Sequence, residues 1–196
     1  SAARALLFGA PDVSLAVAIP SYFYAVLSDG TVAGNRTAFF TIGSFMAIWV
    51  ILYGAVQASA PKLLRAATRP DAELIRAAPY WVGGLTIVPA ALAILVLTTG
   101  DQAPWLTATV IAGLLLFGAI FAINSALHSY LILAFTKSER GTMDVGGYYM
   151  ANAAGRLIGT LLSGLSYQIG GLPACLGTAA VMLLLASLTA TRLRPA

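Results

Sequence analysis

Arg156 is the residue in this sequence with the strongest claim to chemistry, because it lies deep inside an apolar stretch that offers its charge no easy exit. It stands about 12 residues into a run beginning near position 144, which is roughly 18 Å along a helix. A guanidinium is a planar fork of donors suited to carboxylate, phosphate and similar oxyanions. At 100° per residue, Tyr148, Tyr149, Asn152, Gly159, Thr160 and Ser163 share about 120° of arc with it. Met150, Ala154, Leu157, Ile158, Leu161 and Leu165 fill much of the rest. A polar stripe with an apolar back lines a cavity or packs on another polar helix. Arg156 then either closes an internal ion pair, for instance with Asp12, or contacts an anionic ligand directly. Asn152, Tyr148 and the edge residue Tyr149 either join such a site or bridge helices.

A second group is Asn124 and His128, one turn apart with Ser125 and Ser129 beside them. His128 is the single histidine; it either bridges helices or takes part in ligand or proton binding, since imidazole titrates near neutral pH. Asp12 follows Pro11 and has three readings: partner of Arg156, part of a gate, or a helix N-terminal charge. Tyr53 and Gln57 lie near the cytoplasmic end of the second run, where Gln57 has the same gating reading as Asp12. Pro20 lacks the N–H that would close its turn and loosens the helix around it. The series Gly155, Gly159, Ser163 marks a close helix contact or room for a ligand.

Enzymatic readings find no support. There is no H-E-x-x-H, nucleophile elbow or Walker A loop; the single histidine excludes a multi-histidine metal site, and the lone Cys175 a cysteine-based one. The expectation is therefore no catalytic residue, no metal and no cofactor.

The elements that carry these residues follow from composition. Of 196 residues 59% are hydrophobic and 9% charged, and the mean hydropathy is +0.87. Soluble domains carry about 25% charged residues, so lipid must cover much of this surface. A transmembrane helix needs about 20 apolar residues. The sequence provides six runs, at roughly 5–28, 37–60, 79–99, 104–134, 144–168 and 173–191. Ser28-Asp29-Gly30, Pro61-Lys62, Gly100-Asp101 with Pro104, 136–141, and Gly170-Gly171 with Pro173 separate them. The expected fold is an all-α, six-transmembrane-helix bundle forming a single domain over 1–196.

Basic residues stay on the cytoplasmic side of membrane proteins. Arg4, Lys62, Arg65, Arg69, Arg76, Lys137, Arg140, Arg192 and Arg194 fall on one face of a six-span chain, and only Arg36 on the other. Both termini are thus expected in the cytoplasm, in a multi-pass protein of the cell's inner (plasma) membrane. The net charge of +4 is spent on topology rather than on nucleic acid.

The third and sixth runs contain no charged or amide residue, whereas the other four do. That period of three matches a 3+3 inverted repeat in which the third helix of each repeat faces lipid, as inside each half of a major facilitator transporter. The partner would be a missing N-terminal six-helix half, and the beginning at Ser1 without methionine agrees with that expectation. The further partners are the lipid bilayer and a small anionic substrate.

Two strings resemble the organoarsenical efflux transporters of the major facilitator superfamily (the ArsJ family). FAINSALHSYLILAF from Phe121 to Phe135 resembles the fourth helix of their C-terminal half, and GYYMANAAGRLIGTLLSGLSYQ from Gly147 to Gln168 the fifth. YGAVQ from Tyr53 to Gln57 with PKLLR from Pro61 to Arg65 is similar to the second helix and its loop. The chain departs from the family at Pro11, where an arginine is usual, and at Ser14, where an aromatic is. The resemblance implies export of 1-arseno-3-phosphoglycerate and hence arsenate resistance. Two other readings of the same residues are export of a different organic anion or drug-like solute, and a six-span scaffold without transport.

Overall fold

The computed structural model describes residues 2–64, 71–99, 104–135 and 141–190. Arg65, Arg69, Lys137, Arg140, Arg192, Arg194 and the turn expected at Gly100-Asp101 lie outside them. All elements among the described residues are helical. Among the described residues five helices are long and apolar enough to cross a membrane: Ala5–Leu27, Val32–Leu63, Pro79–Thr99, Trp105–Tyr130 and Gly146–Thr189.

The first of these is a composite. Helix α1 (Ala2–Asp12) runs into a π-helical turn (Val13–Ala18) and then α2 (Ile19–Leu27). The cause lies in Pro20. Its missing N–H leaves the preceding turn without its usual closure, and the backbone widens so that the Ile19 N–H reaches the carbonyl of Ser14, five residues back. The loosening read from the sequence is thus a defined π turn. Asp12 sits inside a continuous helix, which removes its reading as an N-terminal charge.

Helix α3 (Val32–Leu63) begins at Thr31, whose side chain accepts from the Gly34 N–H. It does not stop at Pro61. A proline in the last turn forfeits only its own donor, and the Leu64 N–H closes the end on Ala60 O at 2.8 Å. Helix α4 (Asp71–Thr99) starts well before Pro79, and α5 spans Pro104–Phe135, with proline at its first position where no donor is needed.

Helix α6 (Gly141–Ala190) is 50 residues long but not straight. Gly170 and Gly171 leave helical geometry, and Gly171 takes φ 62°, a region open to glycine and strained for other residues. Gly9 touches both arms: a Cβ there would collide with the Gly155 carbonyl oxygen and lie 2.8 Å from Met182 Cε. In a straight helix those two residues would be about 40 Å apart. The arms 141–169 and 172–190 therefore fold back on each other. Cys175 Sγ donates to Ser163 O at 3.4 Å, and the Ser166 and Thr178 hydroxyls meet at 3.0 Å.

Helix α1 packs along α6, α4 along α6 and α5, and α3 along α5 and α2. The buried core joins Leu7, Val13 and Ile19 to Cys175, Leu176 and Leu183, and continues through Leu85 to Leu106 and Phe117. By contrast α3 keeps Phe39, Val50 and Ile51 exposed, and the first arm of α6 keeps Met150, Leu157 and Leu161 exposed. Those are faces for lipid or another apolar surface.

Candidate functional site

Four helices each direct one stripe of residues, spaced by four, toward a common cavity of about 480 Å³. From α1 come Phe8 and Asp12; from α3, Trp49, Tyr53 and Gln57. From α5 come Phe121, Ser125 and Ser129, and from α6 Tyr148, Asn152 and Arg156, with Tyr149 at the edge. Helix α4 contributes nothing to this wall.

The α1–α6 contact sets the position of Arg156. Gly155 and Gly159 lie directly on the backbone of Ala5 and Gly9, so close that a methyl group on either would strike a carbonyl oxygen. The Gly–Gly–Ser series is therefore a helix contact, with no room left for a ligand. It brings Arg156 alongside Asp12, and Nε donates to Asp12 Oδ2 at 3.0 Å. The arginine side chain is still 67% exposed, the aspartate 18%. Among the described residues Nη1 and Nη2 have no hydrogen-bond partner, so the fork is held at its root and open at its tip. Ion pair and cavity exposure thus coexist at one residue.

The opposite wall is aromatic. Trp49 stacks on Tyr53 at 5.5 Å and 8°, and Tyr53 stacks on Phe121 at 5.8 Å and 25°. Phe8 meets Phe121 and Tyr148 edge-on at 6.0 and 5.7 Å. Trp49 is fixed by donating from Nε1 to Leu114 O at 3.1 Å, over the bare surface of Gly118. The polar floor is cross-linked: Gln57 Nε2 donates to Ser125 Oγ at 3.3 Å, and the Ser129 and Tyr148 hydroxyls meet at 3.1 Å. Asn152 Oδ1 is buried without a partner among the described residues, a donor-seeking atom one turn from Arg156.

Of the residues singled out from sequence, Arg156, Asn152, Tyr148, Tyr149, Asp12 and Gln57 share this cavity. Asn124 and His128 do not line it. Asn124 is fully buried against α4, with Nδ2 donating to Trp81 O at 3.3 Å and to Ile120 O at 3.2 Å. His128, also buried, places Nδ1 2.9 Å from Asn124 O. The cavity stripe of α5 is the neighbouring one, 121–125–129. Trp49, Phe121 and Phe8 were not singled out from sequence. Their signal was the spacing of four that continues Tyr53–Gln57 back to Trp49, and Ser129–Ser125 back to Phe121.

No group of three metal-ligating side chains occurs among the described residues. The arrangement offers an open guanidinium fork, an amide and hydroxyls facing aromatic rings: groups that bind and orient an anion. No family model, curated protein or solved structure matches the chain.

Proposed function

We propose that this chain is the C-terminal six-helix half of a major facilitator exporter, and that it carries a small organic anion from the cytoplasm on Arg156. The observation that carries the reading is the half-bound guanidinium: Nε is fixed by Asp12 while the side chain stays 67% exposed and lines the cavity, about 18 Å into a span expected to begin near 144. A charge at that depth costs about 2.5–3.5 kcal/mol on the most lenient scale. A ligand that pairs with the open fork offsets part of that cost.

Helix pairing agrees with a 3+3 repeat. The first helix meets the fifth at Gly9–Gly159, and the second meets the fourth at Trp49–Leu114. Those two pairs exchange under a two-fold relating helices one to three with four to six. The break at Gly170-Gly171 would divide the long last helix into a fifth and a sixth span, and the distribution of basic residues along the sequence favours both ends in the cytoplasm. The exposed faces of α3 and of residues 141–169 flank the cavity and fit a second half closing over it.

The sequence resemblance names the substrate as 1-arseno-3-phosphoglycerate, whose carboxylate, phosphate and arsenate oxygens suit a guanidinium fork. Expulsion of an anion gains about 2.3 kcal/mol per charge per 100 mV of inside-negative potential. Replacing Arg156 by Gln or Lys in the full-length transporter should abolish or cut arsenate resistance at unchanged membrane abundance. Normal resistance in Arg156→Gln would refute the anchor.

The Trp49–Tyr53–Phe121 stack favours a second reading, export of an organic anion with an apolar body. Competition in vesicles separates the two. An aromatic carboxylate outcompeting a phosphoglycerate would favour the second.

A further inference from the structure

A second cavity, of about 410 Å³, lies between α4 and α5, lined by Ala77, Tyr80, Trp81, Gly84 and Ile120. It shares no residue with the Arg156 cavity, and on α5 it uses Ile120 rather than the 121–125–129 stripe. Tyr80 is 81% exposed at its mouth, and its floor is bare at Gly84, where an added Cβ would meet nothing within 4 Å. Arg76, Tyr80 and Gly84 follow one another at intervals of four on a single face of α4. Helical side chains lean toward the N-terminus, so Arg76 reaches away from the groove toward the membrane surface. Arg76 is exposed and forms no ion pair with a described residue, Glu73 included.

An apolar slot with a tyrosine and a tryptophan at its mouth, and an exposed cation one turn above, has the layout of a phospholipid: chain, interfacial zone, phosphate. We propose that this groove is a specific site for an anionic phospholipid, one acyl chain lying along Tyr80, Trp81 and Gly84 and the phosphate resting on Arg76. The charge complementarity selects lipid over a neutral transmembrane partner. Arg76, Tyr80 and Gly84 are continuous along one helix, from near the start of α4 into its apolar stretch.

The test uses the full-length protein, delipidated in a neutral detergent, with thermal stability followed as lipid is added back. Phosphatidylglycerol should raise the melting temperature at a several-fold lower concentration than phosphatidylcholine. Arg76→Gln should erase that preference, a change of about fivefold, equivalent to about 1 kcal/mol for one basic residue near an anionic surface. Gly84→Leu places a side chain in the groove from a position where an added Cβ meets nothing within 4 Å, and it should reduce stabilisation by both lipids. Three results would overturn the site: the full preference retained in Arg76→Gln, an undiminished lipid response in Gly84→Leu, or glycerol phosphate without acyl chains acting as well as phosphatidylglycerol. None of these readouts depends on transport.

Discussion

Ser163 lends its hydroxyl to Val17: Oγ accepts the Val17 N–H at 3.2 Å, and the Ala18 N–H at the same distance, across the α1–α6 contact. Both donors belong to the π turn that Pro20 imposes on the first helix. Such N–H groups cannot be left bare in an apolar interior. A side chain on one helix thus completes the backbone of another, and the distortion becomes a fixed joint.

Ser163→Ala should therefore destabilise the protein by about 1–3 kcal/mol, two hydrogen bonds at about 0.5–1.5 kcal/mol each, measured by thermal or denaturant unfolding in detergent. In the background of Pro20→Ala, where the α-helical ladder can re-form, the same substitution should cost less. Equal costs in the two backgrounds would mean that the hydroxyl and the π turn are not coupled.

Gly159→Ala and Gly155→Ala should each push the first helix away from the fifth, because the new methyl would meet the carbonyl of Gly9 or Ala5. Overpacking of this kind costs about 1–3 kcal/mol. Gly164, five residues along the same arm, has nothing within 4 Å of its Cβ position. Gly164→Ala should be neutral or stabilising by up to about 1 kcal/mol through helix propensity. Unfolding of the three variants side by side checks the contrast.

The helical architecture was legible because apolar run length and punctuation are local properties. Runs near 5–28 and 79–99 correspond to the helices Ala5–Leu27 and Pro79–Thr99. The Gly170-Gly171 break falls where two consecutive glycines stand. Facing was less legible. Arg156, Asn152 and Tyr148 occupy one stripe whose polarity is plain, but on α5 polar residues fill two adjacent stripes. Asn124 answers the Trp81 carbonyl, whereas Ser125 answers Gln57 across the cavity. Only the neighbouring helices decide between those directions, and spacing within one helix does not carry that information. Trp49 and Phe121 carry no distinctive sequence signal, because aromatic residues in an apolar run read as lipid-facing or core.

Asp29 gives a pH-dependent turn outside the spans. Its carboxylate accepts from the Thr31 hydroxyl at 2.7 Å and the Thr31 N–H at 2.9 Å, which holds it below its ordinary range. A depressed folded value stabilises the turn above the unfolded pKa of about 3.9. The benefit is lost as pH falls through the lower folded value. Thr31 in turn caps α3 through Gly34. Protection of the Thr31 and Gly34 amides from exchange, taken relative to the intrinsic rate at each pH, should be high near neutrality and fall in acid. Asp29→Asn should exchange faster already at neutral pH and show a flatter acid response.

Asp12 is the partner whose removal separates a structural pair from a tuned site. Its carboxylate fixes the Nε side of Arg156 and also places a negative charge beside the open fork. Because the arginine is two-thirds exposed, the pair resembles a surface bridge, worth about 0–1 kcal/mol. Asp12→Asn keeps an acceptor for Nε and removes the repulsion felt by an incoming anion. It should leave stability within about 1 kcal/mol of the parent and tighten anion binding roughly three- to tenfold, as expected for unit charges several ångströms apart at intermediate dielectric. Asp12→Ala removes the acceptor as well, so the guanidinium loses its fixed plane and the gain should shrink or reverse. Equilibrium binding of the anion to full-length parent and variants provides the measurement. A large loss of stability with unchanged affinity in Asp12→Asn would identify the pair as a helix clamp and move the anion elsewhere.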